Sequence, residues 1–208
     1  MNRENYWENR YQKEDGDIYG YEPSLSAFYA LIEFKRKNVK TVLEIGGGTG
    51  RNSYLFASYG MKAVNVDTSQ TAILQARRWH KKLSTENKIG DILKVDLSQQ
   101  KFDGIFANFV LPFFTTKELG EIFKKISTCL KPGSMAVFSW LDRNDEYLKA
   151  GKYKDGQFVR FYSKKEIRDL FEKHQFLVLS FSKYRESELI SGELRNTNLI
   201  LSVAVKSV

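Results

Sequence analysis

Four of the five residues at 46–50 are glycines, in the stretch "VLEIGGGTGRNS" that carries an apolar run into a polar helix start. Glycines remove Cβ atoms and permit positive φ at an entropic cost, so such a bend marks a place where a ligand touches the main chain. Gly46, Gly48 and Gly50 form a G-x-G-x-G turn, and a helix starting at about Arg51 offers that ligand unpaired amides. A dinucleotide fingerprint wants glycine again at position 51; Arg51 stands there, which disfavours a nicotinamide or flavin cofactor. Asp67 closes the next apolar run, "KAVNVD", seventeen residues after Gly50. A carboxylate at the end of a second strand can accept both hydroxyls of a ribose lying along the strand ends. The ligand read from these residues therefore carries a ribose.

Such groups need a scaffold that brings strand ends together. Short apolar runs occur at "TVLEIG", "KAVNVD", "FDGIFANFV", "SMAVFSWL", "FLVLSFSKY" and "NLILSVAVK". Helical patterns alternate with them: "PSLSAFYALIEFKRK", "RNSYLFASYG", "SQTAILQARRWHKKL" with a serine cap, "TKELGEIFKKISTCL" and "SKKEIRDLFEKH". Alternating strands and helices predict a parallel α/β sheet with right-handed crossovers. Only "RESELISGELRNT" separates the last two strands, so an antiparallel hairpin should end the sheet. We expect one domain over residues 1–208, with residues 1–38 as a helical, aromatic-rich cap over the cleft.

The chain has 208 residues, 42% hydrophobic and 28% charged, with a net charge of +8, which suits one globular core. Its single cysteine, Cys129, excludes a disulfide framework or a cysteine metal site within the chain, and no metal is expected. No run approaches the roughly 20 apolar residues of a membrane span, and the polar start lacks a secretion signal, so a cytoplasmic location is expected. Lysines and arginines alternate with acids, as in "KKEIRDLFEKH"; nucleic acid is a possible partner but solvated helix faces explain the charge better. His80, within "ARRWHKK", and His174, within "LFEKHQF", read as surface residues rather than bases.

Taken together, Glu44, the glycine turn, Asp67, "GDIL", "FDGIFANFV" and "LKPGSMAVFSW" resemble a class I S-adenosylmethionine-dependent methyltransferase over nearly the whole chain. "YWENRYQ", "GRNSYLFASYG" and "SGELRNTNLILSVAVK" are most similar to its tellurite-resistance type. The resemblance implies a Rossmann-like, seven-stranded, mostly parallel sheet with helices on both faces. It implies S-adenosylmethionine as cofactor, held by Glu44, Gly46, Gly47, Gly48, Gly50, Asn52, Asp67 and Thr68, with Asn108, Phe109 and Val110 beneath it. The adenine-binding acid should follow the third strand: Asp91 with Ile92 is the favoured alignment, and Asp96 with Leu97 the alternative. The first keeps the usual interval to the next strand but leaves a poor strand "TENKIG"; the second leaves a better strand and a very short connection.

The acceptor implied is a small molecule, such as a thiol or a chalcogen oxyanion like tellurite, with RNA or protein methylation, or cofactor binding without transfer, as alternatives. The Asn/Asp-Pro-Pro-aromatic motif common to amino-methylating enzymes is missing after strand four, and the histidine of the tellurite type is missing after "GEL". Trp7, Tyr11, Arg160, Tyr162 and Arg195 are the expected substrate contacts, with the long segment 142–162 as a binding loop. No residue stands out as catalytic, and either a monomer or a homodimer fits.

Overall fold

A computed structural model describes residues 3–13, 18–80, 85–145, 158–190 and 193–207. The elements run α1 (Arg3–Lys13), α2 (Leu25–Arg36), β1 (Thr41–Ile45), α3 (Arg51–Ser58), β2 (Lys62–Asp67), α4 (Gln70–Trp79), β3 (Thr85–Ile89) and β4 (Phe102–Ala107). A 3-10 turn (Leu111–Phe113), α5 (Thr116–Cys129), β5 (Leu130–Leu141), α6 (Lys164–Lys173), β6 (Phe176–Ile190) and β7 (Glu193–Lys206) follow.

All seven strands form one sheet in the order β3-β2-β1-β4-β5-β7-β6. The first five pair in parallel, while β7 pairs antiparallel with both β5 and β6. The mostly parallel, doubly covered sheet with a terminal hairpin is thus as expected. The central strands β1 and β2 are apolar runs because both of their faces are covered. On one face Phe34 of α2 and Phe56 of α3 pack in a buried cluster with Val42 and Val137. On the other, Ile122 and Phe123 of α5 and Phe171 of α6 pack with Ile105 and Phe138.

Local chemistry fixes the helix starts. Ser24 and Ser69 cap α2 and α4 by accepting from Ala27 N and Ala72 N, and Thr115 and Ser163 form capping boxes with Glu118 and Glu166. The expected helix after Ser69 stops sooner than its pattern, at Trp79.

One strand expectation holds against weak propensity and another needs correction. "TENKIG" does form β3, because pairing with β2 from Ala63↔Thr85 to Asp67↔Ile89 overrides its weak propensity. The stretch "RESELISGELRNT" is not a loop: β6 and β7 pair from Phe176↔Lys206 to Ile190↔Glu193, so nearly all of it is strand.

The chain proceeds from β1 outward to β2 and β3, then returns to place β4 on the other side of β1. Strand order therefore reverses between β1 and β4, where open α/β sheets bind ligands.

Candidate functional site

The turn after β1 is held by its own backbone. Gly46, Gly48 and Gly50 have φ of 65°, 55° and 78°, a region that side chains rarely adopt. Space is also missing: a Cβ on Gly46 would lie 2.4 Å from Val110 Cγ2, and one on Gly47 2.3 Å from Asn65 Oδ1.

Glu44 lies behind this turn, 1% exposed. Asn52 Nδ2 donates to it at 2.9 Å and Ser53 Oγ at 2.5 Å, so the carboxylate ties β1 to the first turn of α3. Burial raises its pKa, and the bonds from Ser53 and Asn52 oppose that rise. Asn52 also accepts from Ser24 N and Ser24 Oγ, which docks α2 onto the same network.

Asp67, at the end of β2, accepts from Gly48 N at 2.8 Å and from Ser69 N at 2.9 Å. Burial raises its pKa against the pull of those amides. Asp91 follows β3, and its Oδ1 accepts from Leu93 N at 2.9 Å. Asp96 is exposed and accepts from Ser98 N, so the alternative alignment does not bring it to the site. Lys125 Nζ donates to the carbonyls of Ile92, Leu93 and Val95 at 2.9, 2.9 and 2.7 Å, pinning the loop that follows Asp91.

Asn108 follows β4. Ser26 Oγ and Ser139 Oγ donate to its Oδ1 at 2.8 and 2.6 Å. Phe109 takes φ 56°, and its amide donates to Ser139 Oγ at 2.8 Å. A non-glycine residue in this region is held there by its surroundings, a pattern that concentrates at functional sites.

Helix α1 lies at the mouth of the cleft. Glu8 accepts from Ser69 Oγ, Thr71 Oγ1 and Thr71 N at 2.7, 2.6 and 3.2 Å, fastening α1 to the start of α4. Burial raises the Glu8 pKa, but the bonds from Thr71 and Ser69 together outweigh it and leave the pKa lowered. The Tyr11 ring is buried, with its hydroxyl 2.2 Å from where a Gly48 Cβ would stand. Arg3 pairs with Asp91 at 3.0 Å and Glu118 at 3.1 Å, and its guanidinium lies 3.8 Å from the Phe114 ring centroid.

These groups enclose a cavity with about 890 Å³ of empty space, part of it open to solvent. Of the expected cofactor residues, Gly46, Gly47, Asn52, Asp67, Thr68, Asp91, Ile92, Asn108, Phe109 and Val110 line it. Glu44, Gly48 and Gly50 stand behind the lining, where they shape the turn. Trp7, Tyr11 and Tyr19 line it as well.

Arg160 and Tyr162 are not brought to the cavity. Arg160 N donates to Pro112 O, its side chain meets Thr116 Oγ1 and Glu166, and its guanidinium lies 5.1 Å from the Tyr162 ring centroid. Tyr162 is buried against Trp140, and burial pushes its pKa up to about 12. Both side chains anchor the segment rather than face the cleft. The middle of the expected binding loop, residues 146–157, and the Arg195 side chain lie outside the described residues.

The sequence reading missed Arg3, Phe113 and Phe114 as lining residues, and the doubled phenylalanine after "ANFVLP" was the available signal. Both histidines are more covered than the surface reading of them implies. His80 is half-buried, bonded to the Thr49 backbone with its ring 4.6 Å from that of Tyr54, and burial lowers its pKa. His174 is half-buried with its ring 5.3 Å from that of Phe123, and its pKa is likewise lowered by burial. Neither lines the cavity.

A family described as "Methyltransferase domain" matches residues 14–180, most of the chain. The chain belongs to the methyltransferase domain family. An uncharacterized methyltransferase of Anoxybacillus flavithermus is 26% identical over 138 residues, which span 64% of this chain and 64% of that relative. Among solved structures, magnesium protoporphyrin IX methyltransferase of Synechocystis with bound SAM superposes with a TM-score of 0.70 at 12% identity, over 100% of this chain and 98% of that one. TehB of Haemophilus influenzae superposes with a TM-score of 0.67 at 15% identity, over 86% of this chain and 62% of that one. The expectation of an S-adenosylmethionine-dependent methyltransferase is borne out at the level of family and fold. TehB is one of many structural neighbours of this methyltransferase domain. No helix among the described residues is long and apolar enough to cross a membrane.

Proposed function

We propose that this chain transfers a methyl group from S-adenosylmethionine to a small acceptor. One observation carries the reading: the glycine turn after β1, Asp67 after β2, Asp91 after β3 and Asn108 after β4 meet in one cavity at the strand-order reversal. The residues suit the cofactor. The glycine turn admits a ligand against the main chain, Asp67 suits the ribose hydroxyls and Asp91 the adenine amino group.

When bound, the cofactor supplies a sulfonium whose methyl group is already activated for displacement. The chain's task is alignment and exclusion of water, the main sources of rate in such a transfer. Glu44, through Asn52 and Ser53, fixes the glycine turn, and Trp7, Tyr11, Tyr19, Phe109 and Phe113 supply an aromatic wall to the same cavity. Among the described residues no histidine lines the cavity, which supports an acceptor that reacts without proton abstraction by a histidine.

That supports a small, soft acceptor, a thiol ahead of a chalcogen oxyanion such as tellurite. Among the described residues, the cations of the lining are Arg3 and Arg51. Arg3 is paired with Asp91 and Glu118, and Arg51 donates to the carbonyls of Tyr19 and Glu22 at 2.9 Å. Before the cofactor seats both are therefore committed, so neither draws an anion or RNA into the cavity.

A second reading, cofactor binding without transfer, draws on α1, whose Arg3 and Tyr11 reach into the cleft. Turnover of labelled S-adenosylmethionine against thiols, chalcogen oxyanions, amines and RNA separates them. Labelled product with a thiol supports the proposal; product from RNA alone, or none from any acceptor, overturns it.

A further inference from the structure

One oxygen of Asp91, Oδ1, already accepts from Leu93 N at 2.9 Å. The chain itself fills the other. Arg3, 88 residues away, donates from its guanidinium to Asp91 Oδ2 at 3.0 Å while lying over the Phe114 ring at 3.8 Å. A flat group with N–H donors, placed on an aromatic face and bonded to a carboxylate, presents what an adenine ring with its amino group presents. Phe114 and Asp91 both line the cavity.

We propose that Arg3 is a built-in competitor for adenine: it holds the Asp91 oxygen and the Phe114 face that the cofactor's base would use, and must swing out for the cofactor to seat. This rests on the cofactor reading above. The anchorage is incomplete, as a displaceable occupant requires. Arg3 Nε is buried without a hydrogen-bond partner among the described residues, and Nη1 is shared between Glu118 Oε1 at 3.1 Å and Phe113 O at 3.4 Å, of which Glu118 lies outside the cavity lining. Glu8 holds the middle of α1 on Ser69 and Thr71, and Glu4 pairs with Lys94, both independently of Arg3, so the Arg3 side chain can leave Asp91 while the helix stays docked. The apparent affinity for adenine-bearing ligands is then reduced by the fraction of molecules in which Arg3 sits on Asp91. Removing Arg3 also leaves a buried carboxylate uncompensated until a ligand's amino group relieves it, which pushes the same way.

Calorimetric titration of S-adenosylhomocysteine and of adenosine into the full chain and into Arg3→Gln, Arg3→Ala and Glu118→Gln tests this. Both Arg3 variants should bind both ligands about tenfold tighter. The gain should be equal for adenosine, because it arises at the base alone, and Glu118→Gln should gain less because the Asp91 pair remains. Melting in parallel should show the Arg3 variants less stable alone and shifted further upward by ligand. Unchanged or weakened binding in Arg3→Gln overturns the proposal and makes Arg3 a partner of the bound nucleotide. If no protein, variant or parent, binds either ligand, the cofactor reading itself fails and this inference falls with it.

Discussion

Asp67 Oδ2 accepts a hydrogen bond from the Gly48 amide at 2.8 Å, so the end of β2 holds the glycine turn that follows β1. One carboxylate thus both orders the loop and faces the cavity, and its replacement must show both effects.

Asp67→Ala should weaken S-adenosylhomocysteine binding by about ten- to a hundredfold, the equivalent of roughly 1.5 to 3 kcal/mol for hydrogen bonds to a charged acceptor. The melting temperature should fall as well, since the Gly48 and Ser69 amides lose their partner. Calorimetry and a thermal scan check this; a fall in melting temperature with unchanged affinity makes Asp67 purely structural.

Asp91 and Asp96 give a paired comparison. Asp91→Asn should reduce affinity because its carboxylate meets the cavity, whereas Asp96→Asn, on an exposed carboxylate bonded to Ser98 N, should leave binding unchanged. Equal losses from the two would show that the loop as a whole, not the Asp91 carboxylate, sets affinity.

Arg160→Ala is expected to act on stability alone. Its ion pair with Glu166 spans 3.5 Å and is partly exposed, a class that contributes roughly 0 to 1 kcal/mol. Cofactor affinity and turnover should match the parent; a drop in turnover at unchanged stability would return Arg160 to the substrate site.

His80 predicts a pH dependence. Its pKa lies below the usual 6.5 because burial disfavours the charged ring. The fold favours the neutral form, so the stabilisation is complete above 6.5 and is lost as pH falls from there toward the depressed folded value, where the unfolded chain takes up the proton first. Thermal scans between about pH 7.5 and 5.5 should show this loss. His80→Asn should reduce it without abolishing it, because His174 is shifted the same way.

The sequence told most about groups fixed by their own element. Gly46, Asp67 and Asn108 were readable because each ends or directly follows a strand, and strand ends converge in this sheet wherever the loops go. Asp91 was harder, since β3 owes its existence to pairing with β2 and not to its polar residues. Arg3 was invisible, because its contacts reach 88 and 115 residues along the chain and nothing local encodes them. Arg160 and Tyr162 misled for the converse reason: a long polar segment suggests a lid, but the bond from Arg160 N to Pro112 O and the burial of Tyr162 against Trp140 turn them away from the cleft. The half-burial of His80 likewise depends on Tyr54 and Thr49 across the turn, not on its cationic neighbours.

The most direct test of the central claim is a calorimetric comparison of S-adenosylmethionine and S-adenosylhomocysteine with a nicotinamide dinucleotide. The glycine turn with Arg51 at its third position, together with Asp67 and Asp91, predicts saturable one-to-one binding of the first two, abolished when Asp67 and Asp91 are both changed to alanine, and no heat from the dinucleotide. Saturable binding of the dinucleotide with no response to S-adenosylhomocysteine would contradict it.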